Sequence, residues 1–275
     1  MTLPRPRTAE GAAALDRLLA DPSGAVLAFD FDGTLAPIVP DPRDARAHPD
    51  VPAVLSRLSP LVRALVIVTG RPAAVAVEYG GFAGADGLSG LTVLGQYGRE
   101  RWADGRLTVP EPPPGVAVAR AELPGLLERL AVPAGTWIED KQHALAVHTR
   151  RTSDPDGALE LVRGPLTDLA ARTGLTVEPG RMVVELRPPG MDKGVALTGF
   201  VAEHGATSLL YAGDDLGDLA AFDAVRDLRG RGVAGLTVCS GSDEVPELAG
   251  RADLVVDGPA GVVGLLAGLA AALEG

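Results

Sequence analysis

Apolar residues along this chain follow two periods. Uninterrupted runs at AVLAF (25–29), ALVIV (64–68), LTVLG (91–95) and LLYA (209–212) have the length and composition of strands covered on both faces. GLTVC and a weaker ADLVV at 252–256 continue the series. Between them lie helical patterns: Leu15, Leu18 and Leu19 share one face, Val51, Val54, Leu55 and Leu58 another, and further helices are predicted over 192–204 and from about 260 onward. Strands alternating with helices in this way predict an α/β fold, a doubly wound and mostly parallel sheet.

The middle of the chain has a different character. Asp104-Gly105 marks a hairpin, EPPPG at 111–115 breaks the pattern, and a helix containing Pro124 covers about 116–131. TWIEDK and HALAVHT then alternate as antiparallel strands covered on one face; a long helix follows over about 156–173, with LTVE and RMVVEL on either side of Pro179-Gly180. The expected organisation is a core of residues 1–102 and 188–275 with an inserted α+β cap at 103–187. Only 36 residues separate Asp32 from Thr69, too few for a cap, whereas 123 separate Thr69 from Lys193.

Composition narrows the class. Hydrophobic residues at 46% and charged residues at 22% describe a globular chain, and the net charge of −11 argues against nucleic acid or an anionic membrane as partner. The one cysteine, Cys239, excludes an internal disulfide and a cysteine metal cluster and is expected to be a small buried hydrophobe. With no membrane-length apolar run and no apolar h-region at the N-terminus, a cytoplasmic monomer acting on a small molecule is expected.

Candidate chemistry lies at the ends of the runs. The first stops at Asp30, Phe31, Asp32 and Gly33, the second at Thr69, Gly70 and Arg71, and the fourth at Gly213, Asp214 and Asp215, with Asp218 one turn on. In an open parallel sheet such ends share one edge, where ligands bind. Taken singly, Thr69 reads as a helix cap and the aspartates as a solvated turn. Lys193 lies in the first turn of a helix, where the dipole disfavours a cation, so it either turns outward or meets an anion there. Several carboxylates without clustered histidine select Mg²⁺, and a threonine hydroxyl, loop amides and a lysine suit phosphoryl oxygens. No GxxxxGK[ST] loop is present. Trp137, Glu139 and Lys141 alternate onto one strand face, suited to sugar hydroxyls or to a surface salt bridge.

DFDGTL at 30–35, VTGR at 68–71, Lys193 in MDKG and GDD at 213–215, in this order, resemble the haloacid dehalogenase superfamily of phosphohydrolases. The resemblance implies an Asp30 nucleophile forming an aspartyl-phosphate. Asp32, its proton affinity raised by nearby negative charge, would act as acid and then base, and Thr69 and Lys193 would grip the phosphoryl group. Mg²⁺ would be held by Asp30, the Asp32 carbonyl and Asp214, supported by Asp215 and Asp218. GQYGRE at 95–100, IEDKQHALAVHTR at 138–150 and ELRPPGMDKG at 185–194 are similar to the trehalose-6-phosphate phosphatase family. That similarity implies sugar contacts from Glu139 and Lys141, and places Glu100 and Arg187 near the hinge and pocket. Two features depart from the family pattern: Tyr97 stands where many members have His, and GDDLGDL replaces GDDxTDE. Other capped sugar-phosphate phosphatases, acting on sucrose phosphate or mannosyl-3-phosphoglycerate, are the nearest rivals.

Overall fold

The computed structural model describes residues 3–241 and 246–275. In chain order the strands are β1 (Ala25–Phe29), β2 (Ala64–Val68), β3 (Leu91–Gly95), β4 (Glu100–Ala103), β5 (Arg106–Thr108), β6 (Trp137–Asp140), β7 (Leu145–His148), β8 (Thr176–Gly180), β9 (Val183–Arg187), β10 (Ser208–Gly213), β11 (Ala234–Gly241) and β12 (Leu254–Asp257). The helices are α1 (Ala9–Ala20), α2 (Val51–Leu58), α3 (Ala73–Gly80), α4 (Pro114–Arg129), α5 (Pro155–Thr173), α6 (Lys193–Glu203), α7 (Leu219–Arg229), α8 (Pro246–Arg251) and α9 (Gly258–Glu274). They form two compact units, one ending at Val109 and resuming over Asp192–Gly275, the other spanning Pro110–Met191.

The first unit is built on a sheet of order β12-β11-β10-β1-β2-β3-β4-β5, parallel from β12 to β3. Strand β1 explains why its apolar run is unbroken. Leu27 and Phe29 join a buried cluster with α1, α2, α3 and α9, while Val26 and Ala28 join one with α6 and α7 on the other face. A polar side chain anywhere in the run would be buried without a partner, so polar residues begin only where the strand leaves the sheet. The chain winds outward in opposite directions from β1, through β2 and β3 on one side and β10 and β11 on the other, which makes the C-terminal edge around β1 a topological switch point.

The unit boundary differs from the expected residue 103. Asp104 (φ 51°) and Gly105 (φ 71°) turn a tight hairpin whose first strand, β4, pairs antiparallel with β3. Hydrogen bonding thus ties residues 100–108 to the large sheet, and the second unit begins at Pro110. At the far end it keeps Pro188 to Met191, past the expected boundary at 187.

The second unit carries an antiparallel sheet of order β6-β7-β9-β8. Leu145, Val147, Val184 and Leu186 pack with Val116, Leu123, Val162 and Leu166 of α4 and α5. The alternate positions, including His148, Glu185 and Arg187, belong to the opposite face, so a helix-backed sheet presents a polar surface.

Candidate active site

Register brings the strand ends level. Phe29 pairs with Ala212 on one side and Ile67 on the other, so Asp30, Asp214 and Thr69 emerge one or two residues beyond the same line. The Asp30 backbone N–H donates to the Ala212 carbonyl at 2.8 Å, and the Thr69 N–H to Leu94 at 3.0 Å. Gly33 then turns the chain with φ +71°, and a Cβ there would lie 1.9 Å from Asp214 Oδ2. Only glycine satisfies both the left-handed turn and that approach.

Lys193 resolves the oddity of a cation at a helix start. Asp192 already fills the cap position, its Oδ1 accepting from the Val195 N–H at 2.8 Å. The lysine turns inward, buried, with Nζ 3.0 Å from Asp30 Oδ2 and 2.7 Å from Asp218 Oδ1. Burial opposes its charge, yet Asp218 and Asp30 hold the ammonium well above the usual lysine range.

Asp218 has all its acceptor capacity in use. Oδ1 accepts from Lys193 and from the Tyr211 hydroxyl at 2.6 Å, and Oδ2 from the backbone N–H groups of Asp214 at 2.9 Å and Asp215 at 3.1 Å. Burial works against its ionisation, but Lys193 and these hydrogen bonds hold its carboxyl below the usual range. It anchors the loop that carries Asp214. Tyr211 escaped the sequence reading, although a tyrosine inside an aliphatic strand just ahead of the acid pair was the available signal.

The remaining carboxylates are undercompensated. One oxygen each from Asp30, Asp214, Asp215 and Asp218 lies within 4.8 Å of the others, with Lys193 as the cation in contact. Burial pushes Asp30 well above the carboxylate range, against the pull of Lys193. Burial, Asp218 and Asp215 push Asp214 up to about 8. Asp214 Oδ1 is buried without a hydrogen-bond partner. Hard oxygen donors, excess negative charge and an orphaned carboxylate oxygen fit a divalent cation of the Mg²⁺ kind.

Asp32 is paired differently from expectation. Both its oxygens are taken by Arg71, Nε to Oδ2 at 2.7 Å and a terminal nitrogen to Oδ1 at 2.6 Å, so the group in direct contact is a guanidinium and not a second carboxylate. The Arg71 N–H donates to Thr69 Oγ1 at 3.1 Å, closing the 69–71 loop. That loop is held by Gln96 and Tyr97, left-handed at φ 48° and 56°, whose N–H groups donate to the Arg71 and Thr69 carbonyls at 2.9 and 3.0 Å. The Tyr97 hydroxyl stands over Gly70, 2.8 Å from where a Cβ would be.

Two of the candidate ligand contacts, Phe31 and Glu100, have buried side chains. Phe31 is fully buried in the core, its ring 5.8 Å from the Arg71 guanidinium, so its side chain backs Arg71 while its backbone borders the site. Glu100 is also buried, and its Oε2 accepts from the Ala73 N–H at 2.6 Å at the start of α3. Its carboxylate caps a helix that Pro72, at the cap position, leaves without a side-chain acceptor.

In the second unit Glu139 and Lys141 each have a close partner of their own. Glu139 Oε2 lies 2.8 Å from His148 Nε2, a bond that holds the Glu139 carboxyl below its usual range; His148 in turn stacks on Trp137 at 4.3 Å. Lys141 Nζ donates to Glu185 Oε2 at 2.5 Å, and Glu185 Oε1 is buried without a partner. Arg187 donates to Glu178 at 2.6 Å. Glu185 was missed, although a carboxylate in the middle of VVEL was the visible anomaly.

Solved structures share this architecture. A haloacid dehalogenase-like hydrolase from Bacteroides thetaiotaomicron superposes with TM-score 0.59 at 17% identity, covering 91% of this chain and 98% of that one. The C-terminal domain of C. albicans trehalose-6-phosphate phosphatase does so with TM-score 0.75 at 22% identity, covering 98% and 99%. The fold is thus haloacid dehalogenase-like. The trehalose-phosphatase family model matches residues 28–257. A trehalose-phosphate phosphatase of Mycobacterium avium is 33% identical over 242 residues, 84% of this chain and 58% of the relative, so the chain spans somewhat over half of that protein. The chain belongs to the trehalose-phosphatase family.

Proposed function

We propose that this chain is a Mg²⁺-dependent phosphatase that hydrolyses trehalose 6-phosphate to trehalose and phosphate in the cytoplasm, with residues 110–191 as the module that selects the sugar. The observation that supports the reading is the buried Asp30–Lys193–Asp218 chain beside Asp214, a carboxylate and an ammonium in contact, of the kind suited to handling a phosphoryl group.

In the proposed reaction an Asp30 oxygen attacks phosphorus, and the bond from phosphorus to the sugar oxygen breaks. Asp32 supplies a proton to that leaving oxygen. Asp32 then takes a proton from water as the water attacks phosphorus, and the bond from phosphorus to Asp30 breaks to release phosphate. Lys193 and Thr69 hold phosphoryl oxygens throughout. Arg71, which occupies both Asp32 oxygens, has to pass to a phosphoryl oxygen before Asp32 exchanges a proton. Asp30, the Asp32 carbonyl and Asp214 would hold Mg²⁺, which when bound offsets the charge of carboxylates and phosphate. Glu139, Lys141 and Glu185 would receive sugar hydroxyls, the unpartnered Glu185 oxygen being the acceptor in want of a donor.

The test is phosphate release from a panel of sugar phosphates with Mg²⁺ present. Trehalose 6-phosphate is expected to be turned over with the highest kcat/KM. A preference for sucrose phosphate or mannosyl-3-phosphoglycerate overturns the sugar assignment, and no release from any of them overturns the phosphatase reading.

A further inference from the structure

We infer that Ser240 is a positioning residue for the phosphoryl-transfer site, clamping the turn on which the Asp214 carboxylate rests; the inference builds on the phosphatase reading above. Ser240 is the penultimate residue of β11 and is 1% exposed. Its Oγ donates to the Gly33 carbonyl at 2.7 Å, a buried bond between positions 207 apart in sequence. The Gly33 N–H donates to the Ala36 carbonyl at 2.7 Å, so the residue is tied on both sides.

The clamp is needed because of what Gly33 is. Glycine rotates its flanking peptides with little steric resistance, so the freedom that permits φ +71° also permits that peptide to turn away. A buried carbonyl that loses its donor pays its desolvation cost, and rotation of the peptide is the ready way to recover a partner. Such a rotation would not stay local. Gly33 lies so close to Asp214 that a Cβ would come within 1.9 Å of Oδ2, while Oδ1 has no hydrogen bond to hold it. Asp214 therefore takes its setting from Gly33, and Gly33 takes its own from Ser240. This is a fourth strand contributing at the C-terminal edge, from the far side of β10.

The variants are Ser240→Ala and Ser240→Thr, assayed with trehalose 6-phosphate and with p-nitrophenyl phosphate over a Mg²⁺ titration. Thermal unfolding is followed with and without Mg²⁺. For Ser240→Ala, kcat is expected to fall about tenfold with KM within about twofold of wild type, the magnitude of one buried hydrogen bond. Half-saturation is expected to move to higher Mg²⁺, and the Mg²⁺-induced rise in Tm to shrink. Ser240→Thr keeps the hydroxyl and is expected to restore most of both. Wild-type kcat and Mg²⁺ response in Ser240→Ala would overturn the inference, as would a lower metal-free Tm with the Mg²⁺ response intact, the mark of a hydroxyl that only packs the strand. Should Ser240→Ala fail to fold, Ser240→Cys, of similar size but a weaker donor, takes its place under the same criteria. If p-nitrophenyl phosphate is hydrolysed and trehalose 6-phosphate is not, the sugar assignment fails and the test of Ser240 stands. If neither is hydrolysed, the Mg²⁺-induced Tm rise still decides the clamp.

Discussion

Lys193 and Asp218 meet through a 2.7 Å hydrogen bond in the interior of the first unit, both side chains almost wholly inaccessible. The ammonium is thereby fixed against Asp30 by a carboxylate that has no other freedom. Removing one member of a buried pair strands the other, at about 3–5 kcal/mol. Lys193→Met is expected to lower Tm by several degrees and kcat at least about a hundredfold. Asp218→Asn is expected to lower kcat comparably, because Lys193 and the Asp214 amide both lose their acceptor charge. Steady-state kinetics with thermal unfolding checks both, and a wild-type kcat in either would remove the pair from the mechanism.

Asp214 makes stability depend on pH in a defined direction. An ordinary aspartate ionises near 3.8, whereas Asp214 is pushed up to about 8. The folded state keeps a proton that the unfolded chain has released, so this contribution is complete below about pH 4 and is lost as pH climbs to about 8. In EDTA, Tm should decline across that window, and Asp214→Asn should flatten the decline. A bound cation favours the ionised carboxylate, so Mg²⁺ should raise Tm most at the alkaline end.

Gly33→Ala tests the close approach to Asp214. The new methyl would need to occupy space 1.9 Å from Oδ2 at a φ of +71°, so Asp214 has to move. The left-handed conformation alone costs an alanine about 1–2 kcal/mol. Activity should fall to background, with a Tm loss too small to account for it at the assay temperature.

Glu100 and Glu185 separate capping from recognition. Glu100→Gln should lower stability by about 1 kcal/mol through a weakened cap on α3 while leaving KM near wild type. Glu185→Gln should raise KM about tenfold with a smaller change in kcat, since it removes the charge that orders Lys141. A raised KM in Glu100→Gln with unchanged Tm would return that residue to the ligand site.

Much of the first unit was legible in the sequence because its signals are local. A strand covered on both faces must be apolar throughout, so the runs at β1, β2, β3 and β10 mark the sheet, and the polar residues ending β1, β2 and β10 mark the edge where the candidate site lies. The Asp104-Gly105 turn was equally plain, but which sheet its hairpin joins was not, since pairing of β4 with β3 is settled by backbone hydrogen bonds that leave no periodicity of their own. The order of Asp30, Thr69, Lys193 and Asp214 is a property of the chain. That Lys193 points inward, that Asp218 is fully engaged, that Arg71 holds Asp32 and that Glu100 caps α3 depend on which atoms register and packing bring within hydrogen-bond reach. A carboxylate's role follows from its partners, and those partners can lie dozens of positions away or, for Asp30 and Lys193, 163, beyond anything a local pattern encodes.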